Sequence, residues 1–379
     1  MNAQIAVKGE TVWTMTGESI TNGVILVKDG KIEAVGTATS ITIPSNYRVI
    51  NAKVVTPGLI DAHTVIGLNG YLNQPHDQMA LDGGASLQPE LRATDAYNAQ
   101  ERLVEVVRQY GVTTIHTGHQ PSALISGQTM IAKTWGKNVD EATIVPTAMI
   151  AVTLGDAANA GAGKSPGTRG KQAAMLRSEL IKAQENNAKS EKPKDLKSVI
   201  MMRVINREVP LLVTAEAAQD IMTAIRIAKE FSIKIVLDGA ADGHTVINEI
   251  RSSGFPVIVH ATMARPGGDR ANLSLENTSK LRAAGIPVAL QSGYEGYVPK
   301  TRIVLFEAAM AAANGLSQRD ALAAITIDAA KILGVDGRVG SLAIGKDADI
   351  AMYDGDPFEW TSHCTGTIIN GSVASEIIK

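Results

Sequence analysis

The stretch Val54-Val55-Thr56-Pro57-Gly58-Leu59-Ile60-Asp61-Ala62-His63-Thr64-Val65-Ile66-Gly67 decides the fold of this chain. An apolar run meets a Pro-Gly turn, resumes as a short apolar strand and ends on the polar residues Asp61-Ala62-His63. A continuous apolar run is typical of a strand buried in a parallel sheet. Polar residues at the carboxyl end of such a strand face the functional site of a β/α barrel. The stretch therefore predicts a barrel strand with His63 at its functional end.

Composition narrows the classes of protein that this chain can be. Its 379 residues accommodate one barrel of about 250 residues together with a smaller domain. Apolar residues make up 45% and charged residues 20%, which is typical of a globular protein with a large core. The formal charge of −2 and the lack of any basic run give no reason to expect nucleic acid or an anionic membrane surface as a partner. Cys364 is the single cysteine, so an internal disulfide is excluded.

Short strands with turn signals occupy both ends of the chain. Residues 4 to 56 alternate between apolar and polar positions, and Asp29-Gly30 is a hairpin signal. At the other end, two further strands are predicted around Asn370-Gly371. A small antiparallel sheet cannot bury both of its faces alone. We therefore expect residues 1–56 and 338–379 to form one composite β-sandwich domain.

Between the termini, residues 57–337 repeat a strand followed by a helix, which favours a parallel sheet closed into a (β/α)8 barrel. One predicted helix spans 95–110. Residues 155–198 break the rhythm, since they are polar and carry one apolar helical stripe. Long insertions after a barrel strand usually lie over the mouth, so this segment is predicted to be a lid. A solvated surface excursion is the alternative.

Two motifs far apart in the chain resemble the amidohydrolase superfamily, most closely its imidazolonepropionase-like and dipeptidase-like branch. The first is the Pro-Gly-x-x-Asp-x-His run that begins at Pro57, and the second is the Gly-Ser-Leu-x-x-Gly-Lys-Asp-Ala-Asp run at 340–349. The resemblance implies a β/α barrel that hydrolyses C–N bonds with one or two metal ions, usually zinc. Such a metal lowers the pKa of a bound water and polarises the scissile carbonyl.

The residues that the resemblance requires as metal ligands are mostly missing. Val65 occupies the position of the second histidine of strand one. Thr214 stands in place of the histidine of strand five, and Gly239 in place of the histidine of strand six. The aspartate of strand eight, which would also take a proton from the attacking water, is Gly293. Asp156 could stand for the bridging carboxylate. A threonine hydroxyl is a poor zinc ligand and glycine offers none, so the usual metal centre is predicted to be absent.

Two rearranged sites remain open as alternatives. His63, Asp238 and His260 would supply two imidazoles and a carboxylate, a set that suits zinc. Glu216, Asp238 and His260 could instead form an acid/base set without metal, although no Gly-x-Ser-x-Gly nucleophile motif is present. His63, Asp238 and His260 are accordingly the candidate catalytic residues.

Two further histidines, His116 and His119, lie three residues apart after a predicted strand. A pair at this spacing can chelate a metal ion, and a structural role for each is the alternative.

The expected function is that of an amidohydrolase-superfamily protein with a degenerate metal site, which acts as a non-catalytic small-molecule-binding or partner subunit. A C–N bond hydrolase for a cyclic amide, imidazolone or dipeptide-like substrate is the competing hypothesis. No cofactor is expected, apart from zinc if a rearranged site exists. Partners would be a small molecule at the barrel mouth and, in an oligomer, a second copy or an active homologue. The candidate substrate-binding residues are His119, Asp156, Arg169, Thr214, Glu216, Gln291 and Tyr294.

The compartment is left open by the sequence. A cytoplasmic protein is expected from the sequence as it stands, and a periplasmic one if Asn2-Ala3-Gln4 is the remnant of a trimmed signal peptide.

Overall fold

The computed structural model describes residues 4–72, 74–161, 163–260, 265–294 and 303–376. Its strands are β1 (Ile5–Val12), β2 (Ile20–Lys28), β3 (Lys31–Thr37), β4 (Arg48–Pro57), β5 (Leu59–Thr64), β6 (Val112–Thr117), β7 (Ile125–Gln128), β8 (Met130–Lys133), β9 (Thr143–Val145), β10 (Ile150–Thr153), β11 (Leu211–Ala215), β12 (Ile235–Gly239), β13 (Val257–Val259), β14 (Val288–Leu290), β15 (Ile350–Tyr353), β16 (Cys364–Ile369) and β17 (Ser372–Glu376). Its α-helices are α1 (Ala93–Ala96), α2 (Arg102–Arg108), α3 (Val139–Ala142), α4 (Arg169–Ala188), α5 (Leu196–Ile205), α6 (Ala218–Phe231), α7 (Ile247–Ser253), α8 (Asn277–Ala283), α9 (Ile303–Ala313), α10 (Gln318–Ala324) and α11 (Ile327–Ile332). Short 3₁₀ turns cover Pro75–Asp77, Asp156–Ala158, Gly243–Thr245 and Gly268–Arg270.

Both ends of the chain build one seven-stranded sheet, in the order β17-β16-β15-β4-β1-β2-β3. The predicted hairpin joins β2 to β3, and Asp29 and Gly30 both have positive φ, as a two-residue hairpin turn of type I′ requires. β15 pairs with β4 and so joins the carboxyl-terminal strands to the amino-terminal ones. Strands from both termini therefore belong to one hydrogen-bonded sheet. The prediction of a wholly antiparallel sheet is wrong, because β1 and β4 are parallel.

The Pro57-Gly58 turn carries the chain from this sheet into the α/β part. β4 ends at Pro57 and β5 begins at Leu59. The Gly58 N–H donates to the carbonyl of Asp349, and the Leu59 N–H donates to the carbonyl of Gly111. Two consecutive amides therefore bond to different units, which fixes how β5 enters the α/β part.

The α/β part consists of a six-stranded sheet, β14-β13-β12-β11-β10-β7, and a four-stranded sheet, β5-β6-β8-β9. β10 to β14 are parallel neighbours, as are β5 and β6. An isolated bridge between Thr64 and Gly293 brings the end of β5 beside the end of the β14 segment. On the other side, the chain itself runs from β7 in one sheet to β8 in the other. Within the described part of the chain, these ladders do not join into one continuous hydrogen-bonded sheet.

The expectation of parallel strands throughout is wrong at β7 and β8. β8 runs antiparallel to β6, and β7 runs antiparallel to β10. Residues 118–129, which connect β6 to β8, contain β7 instead of the helix through which parallel neighbours are usually joined.

The predicted helix over 95–110 is two helices, α1 and α2, with a break between them. Glu101 precedes α2, and its side chain accepts hydrogen bonds from the N–H groups of Leu103, at 2.7 Å, and Tyr71, at 2.8 Å. An acceptor at this position satisfies amides that the first helical turn leaves open, so a new helix begins here. The apolar spacing was correct, and the capping signal inside it was missed.

Residues 155–198, which are predicted to be a lid, contain helix α4. Its apolar stripe is present, since Ala173, Leu176, Leu180 and Ala183 of α4 are buried. α4 packs against α5 and α6, so it belongs to the helical crossover between β10 and β11. That residues 155–198 form a lid stays a prediction, as do the limits of the two domains.

No helix in the described parts of the chain combines the length and the apolar character needed to cross a membrane.

Candidate functional site

Four buried side chains meet at the carboxyl ends of the parallel strands of the α/β part. Asp238 of β12 is the centre, and it is 0% exposed. Its Oδ1 lies 2.9 Å from Nδ1 of His63 and 2.6 Å from Nε2 of Gln291. Its Oδ2 accepts from the hydroxyl of Thr214 at 2.5 Å. Residues from β5, β11 and the end of β14 thus converge on one carboxylate, which we call the Asp238 network.

The electrostatics of the network fix the direction of its hydrogen bonds. Burial acts to raise the pKa of Asp238, but the His63 ring and the hydrogen bonds from His63 and Thr214 outweigh burial and lower it. An ionised carboxylate only accepts, so His63 donates from Nδ1. His63 Nε2 and Gln291 Oε1 then remain, and neither has a hydrogen-bond partner among the described residues.

His116 lies beside this network but takes no part in it. Its ring centroid is 5.8 Å from that of His63. Its Nδ1 is 2.7 Å from the Ala62 carbonyl, and its Nε2 is 2.7 Å from the Thr129 hydroxyl. Burial, reinforced by the nearby charge of His63, lowers the pKa of His116 to about 3. A neutral His116 therefore donates to Ala62 of β5 and accepts from Thr129, which lies between β7 and β8.

His119, the other member of the predicted histidine pair, has different surroundings from those of His116. His119 is 4% exposed, and its ring packs so closely on Gly127 that a Cβ there would meet it at 2.5 Å. Burial lowers the pKa of His119 to about 4. His116 thus uses both ring nitrogens in hydrogen bonds, whereas the ring nitrogens of His119 are buried without a hydrogen-bond partner among the described residues.

A second group of polar residues lies closer to solvent. His260 stacks on Tyr294 with ring centroids 4.6 Å apart. Glu216 Oε1 is 3.5 Å from His260 Nδ1 and 4.0 Å from Arg270 Nε. The Tyr294 ring also lies 5.8 Å from His63, so it separates the two groups.

Glu216, Arg270 and Tyr294 line a cavity of about 430 Å³ beside the carboxyl ends of these strands, which we call the mouth cavity. Among the described residues, its polar and charged lining consists of Gln120, Thr153, Asp156, Thr214, Glu216, Asp269, Arg270 and Tyr294. This volume lies within the usual range of about 300–1,000 Å³ for ligand pockets. The cavity touches the Asp238 network through Thr214.

Arg169 binds three carboxylates beside the mouth cavity, and two of them, Asp156 and Asp269, line it. Its guanidinium contacts Asp220 at 2.9 Å, Asp269 at 2.5 Å and Asp156 at 3.2 Å. Burial raises the pKa of Asp220, and Arg169 only partly opposes that rise. Arg169 therefore holds α4, α6 and the loop of Asp269 together.

The hydrolytic metal centre that the resemblance implies does not fit these residues. His63 Nδ1 and Asp238 Oδ1 are hydrogen-bonded to each other, and Asp238 also accepts hydrogen bonds from Thr214 and Gln291. Neither Val65 nor Gly239 has a side-chain atom that can bind a metal ion. Across the described ranges, no group of three or more His, Cys, Asp or Glu side chains is arranged to hold a metal ion.

The predicted site residues separate into three sets. Asp156, Thr214, Glu216 and Tyr294 line the mouth cavity. His63, Asp238 and His260 are buried, and Gln291, predicted to bind substrate, is instead 0% exposed and bonded to Asp238. His119 and Arg169 lie outside the described lining of the cavity.

Sequence reasoning missed two charged residues of the mouth, Asp269 and Arg270. They follow β13, in a loop whose position after a barrel strand was the available signal.

Comparison with known protein families identifies the family of this chain. The sequence profile of the amidohydrolase family matches residues 66–374, so the chain belongs to this family.

Relatives within that class are distant in sequence. The imidazolonepropionase of Brucella anthropi is 23% identical over 401 residues, covering 93% of this chain and 91% of that protein. The crystal structure of an amidohydrolase from Thermotoga maritima MSB8 superposes with a TM-score of 0.92 at 26% identity, covering 98% of this chain and 100% of that one. A putative prolidase from Bifidobacterium longum gives a TM-score of 0.59 at 19% identity, with 98% and 95% covered, which shows the fold alone.

Proposed function

We propose that this chain is a non-catalytic member of the amidohydrolase family that binds a small organic molecule at the barrel mouth. The observation that carries the proposal is the Asp238 network. At the strand ends where the family resemblance requires metal ligands, His63, Thr214 and Gln291 donate hydrogen bonds to one buried carboxylate. A carboxylate saturated by three donors is stabilised by them and is a poor ligand for an added cation.

The cavity above the network supports a binding role. It has the volume of a ligand pocket and presents an aromatic ring with a few polar groups, the usual make-up of small-molecule sites. A subunit of this kind could also serve as the partner of a second copy or of an active homologue. Gel filtration with multi-angle light scattering of the purified chain tests self-association.

Metal analysis combined with an activity screen tests the proposal. We expect protein from zinc-supplemented cultures to carry substoichiometric zinc after dialysis and to hydrolyse no amide, lactam, imidazolone or dipeptide substrate. Stoichiometric zinc that is lost in His63→Ala would contradict the proposal. His76→Ala is the matched control, because the His76 side chain is 78% exposed and its ion-pair partner is Asp77 beside it.

A hydrolase with a rearranged site is the second candidate. The relatives at 22–24% identity over most of their length are imidazolonepropionases. Asp238 also holds His63 by Nδ1 and leaves Nε2 without a hydrogen-bond partner among the described residues, as an orienting carboxylate does for a general base. Turnover of an imidazolone substrate that is abolished by both His63→Ala and Asp238→Asn would favour this candidate over the binding subunit.

We also infer that the two sheets of the α/β part form one eight-stranded barrel, with the segment of β7 and β8 as its third strand. The Thr64–Gly293 bridge on one side and the continuous chain through Thr129 on the other support this closure. The composite terminal sheet would then fold as the expected sandwich against the barrel.

A further inference from the structure

Glu216 presents to the mouth cavity a carboxylate that accepts a hydrogen bond from the backbone. The residue is 9% exposed and lies among the residues that line the cavity. Its Oε2 accepts a hydrogen bond from the backbone N–H of Ala241 at 3.1 Å. Its Oε1 is buried and accepts no hydrogen bond from the described residues. One oxygen is thus fixed by the backbone, while Oε1 lies 3.5 Å from His260 Nδ1 and 4.0 Å from Arg270 Nε at the edge of the cavity without a hydrogen bond to either.

The glycine at position 239 makes room for this carboxylate. A Cβ built on Gly239 would lie 2.6 Å from Glu216 Oε2 and 2.8 Å from Oε1, closer than real Cβ contacts allow. Gly239 also has a φ of +81°, which disfavours other residues. Gly239 is the position at which the family resemblance requires a metal-binding histidine. The change that removes a ligand therefore creates the space that Glu216 fills.

The charge around the cavity is acidic on balance. Among the described lining residues, Asp156, Glu216 and Asp269 are negative and Arg270 is positive, which leaves two negative charges. Arg169, which contacts Asp156 and Asp269, offsets one of these. The ring of Tyr294 forms part of the same lining, and an aromatic face attracts a cation placed over it.

We propose that the mouth cavity selects ligands that carry a planar cationic nitrogen group, such as an amidinium, guanidinium or imidazolium. The cation donates to Oε1 of Glu216 and lies against the ring of Tyr294. This inference rests on the proposed binding function and names the chemical class of its ligand. The carboxylate replaces the metal as the feature that orients the bound molecule.

Isothermal titration calorimetry with three probes of one shape tests this selectivity. Benzamidine is a planar cation, benzamide is its neutral counterpart, and benzoate is the corresponding anion. We expect the wild-type chain to bind benzamidine and to bind benzamide and benzoate at least about tenfold more weakly, as the loss of a charge-assisted hydrogen bond implies.

Two variants locate the interaction. Glu216→Gln removes the charge at nearly constant shape and should weaken benzamidine about tenfold or more, with little effect on benzamide. Gly239→Ala should weaken benzamidine as well, because its methyl group displaces the carboxylate. Glu208→Gln is the matched control and should bind as wild type, since that side chain is 52% exposed and pairs with Arg203.

Lack of benzamidine binding by the wild-type chain, preference for benzoate, or equal affinity in wild type and Glu216→Gln would each overturn the inference. Should Gly239→Ala fail to fold, Glu216→Gln still decides. These outcomes differ from failure of the proposed function, which would be signalled by stoichiometric zinc or by turnover whatever the probes do.

Discussion

Two buried polar networks lie at different places in this molecule, and their contrast is instructive. In the junction network, Lys133 of β8 is 2% exposed; it bonds to Asp349 and lies 3.2 Å from Asp347. Lys31 and Arg338 approach Asp347 from outside at 2.6 and 2.9 Å. The junction network therefore ties the α/β part to the composite sheet with opposite charges facing one another.

The Asp238 network differs in that it is not fully satisfied. His63 Nε2 and Gln291 Oε1 are buried without hydrogen-bond partners among the described residues, whereas Asp349 also accepts from the Asn370 N–H. Buried polar atoms are nearly always paired when their role is structural. The junction network thus has the properties of a stabilising clamp, whereas the Asp238 network keeps buried polar atoms that a purely structural role would pair.

Breaking the junction network should have the largest effect on stability. Lys133→Met leaves Asp349 buried without its cation, and loss of one partner from a buried pair costs about 3–5 kcal/mol. Urea denaturation measures the change in the free energy of unfolding. Lys31→Met is the control: its side chain is 52% exposed, so we expect less than about 1 kcal/mol. Equal losses in the two variants would contradict the assignment.

Asp238→Asn should have the next largest effect. The amide nitrogen of the new side chain would replace one carboxylate oxygen and would face either Thr214 or both His63 and Gln291, which donate to Asp238 now. Loss of hydrogen bonds to a buried charged group costs about 1.5–3 kcal/mol each, partly compensated by the remaining amide oxygen, so we expect a total of about 2–3 kcal/mol. Asp140→Asn, at an exposed site on α3, should change the free energy of unfolding by less than about 0.5 kcal/mol. A neutral result at Asp238 would mean that the network contributes nothing to folding.

The dependence of stability on pH should show a smaller effect, which distinguishes His116, beside the Asp238 network, from Asp347 of the junction network. His116 has a native pKa of about 3 and an ordinary unfolded pKa of about 6.5, so the unfolded chain binds more protons between these values. Its contribution is therefore fully present above about pH 6.5 and is lost as pH falls, by up to about 1.4 kcal/mol per pH unit. Burial acts to raise the pKa of Asp347, but Lys133, Lys31 and Arg338 lower it below its usual value, so its contribution is lost only at more acid pH, below about 3.9.

Chemical denaturation at several pH values between about 4 and 6 measures this slope. His116→Phe should reduce it, and part of the slope should persist through His119, whose native pKa is about 4. An unchanged slope in His116→Phe would show that His116 titrates normally in the folded chain.

Local patterns in the sequence predicted those features that depend on local physics. The apolar run before His63 predicted a buried barrel strand, and the stripe of α4 predicted its buried face. The direction of β7 and β8 was not predictable in this way, because an apolar strand reads the same whichever way its neighbour runs. The contact between His63 and Asp238 joins positions 175 residues apart, and the space that Gly239 gives to Glu216 exists only in three dimensions.

Anomalous diffraction at the zinc edge, from crystals grown with excess zinc, tests the central claim most directly. The Asp238 network predicts no anomalous peak within bonding distance of His63, with Asp238 still bound by His63, Thr214 and Gln291. A peak at the barrel mouth held by three or more protein atoms, His63 among them, would contradict the account.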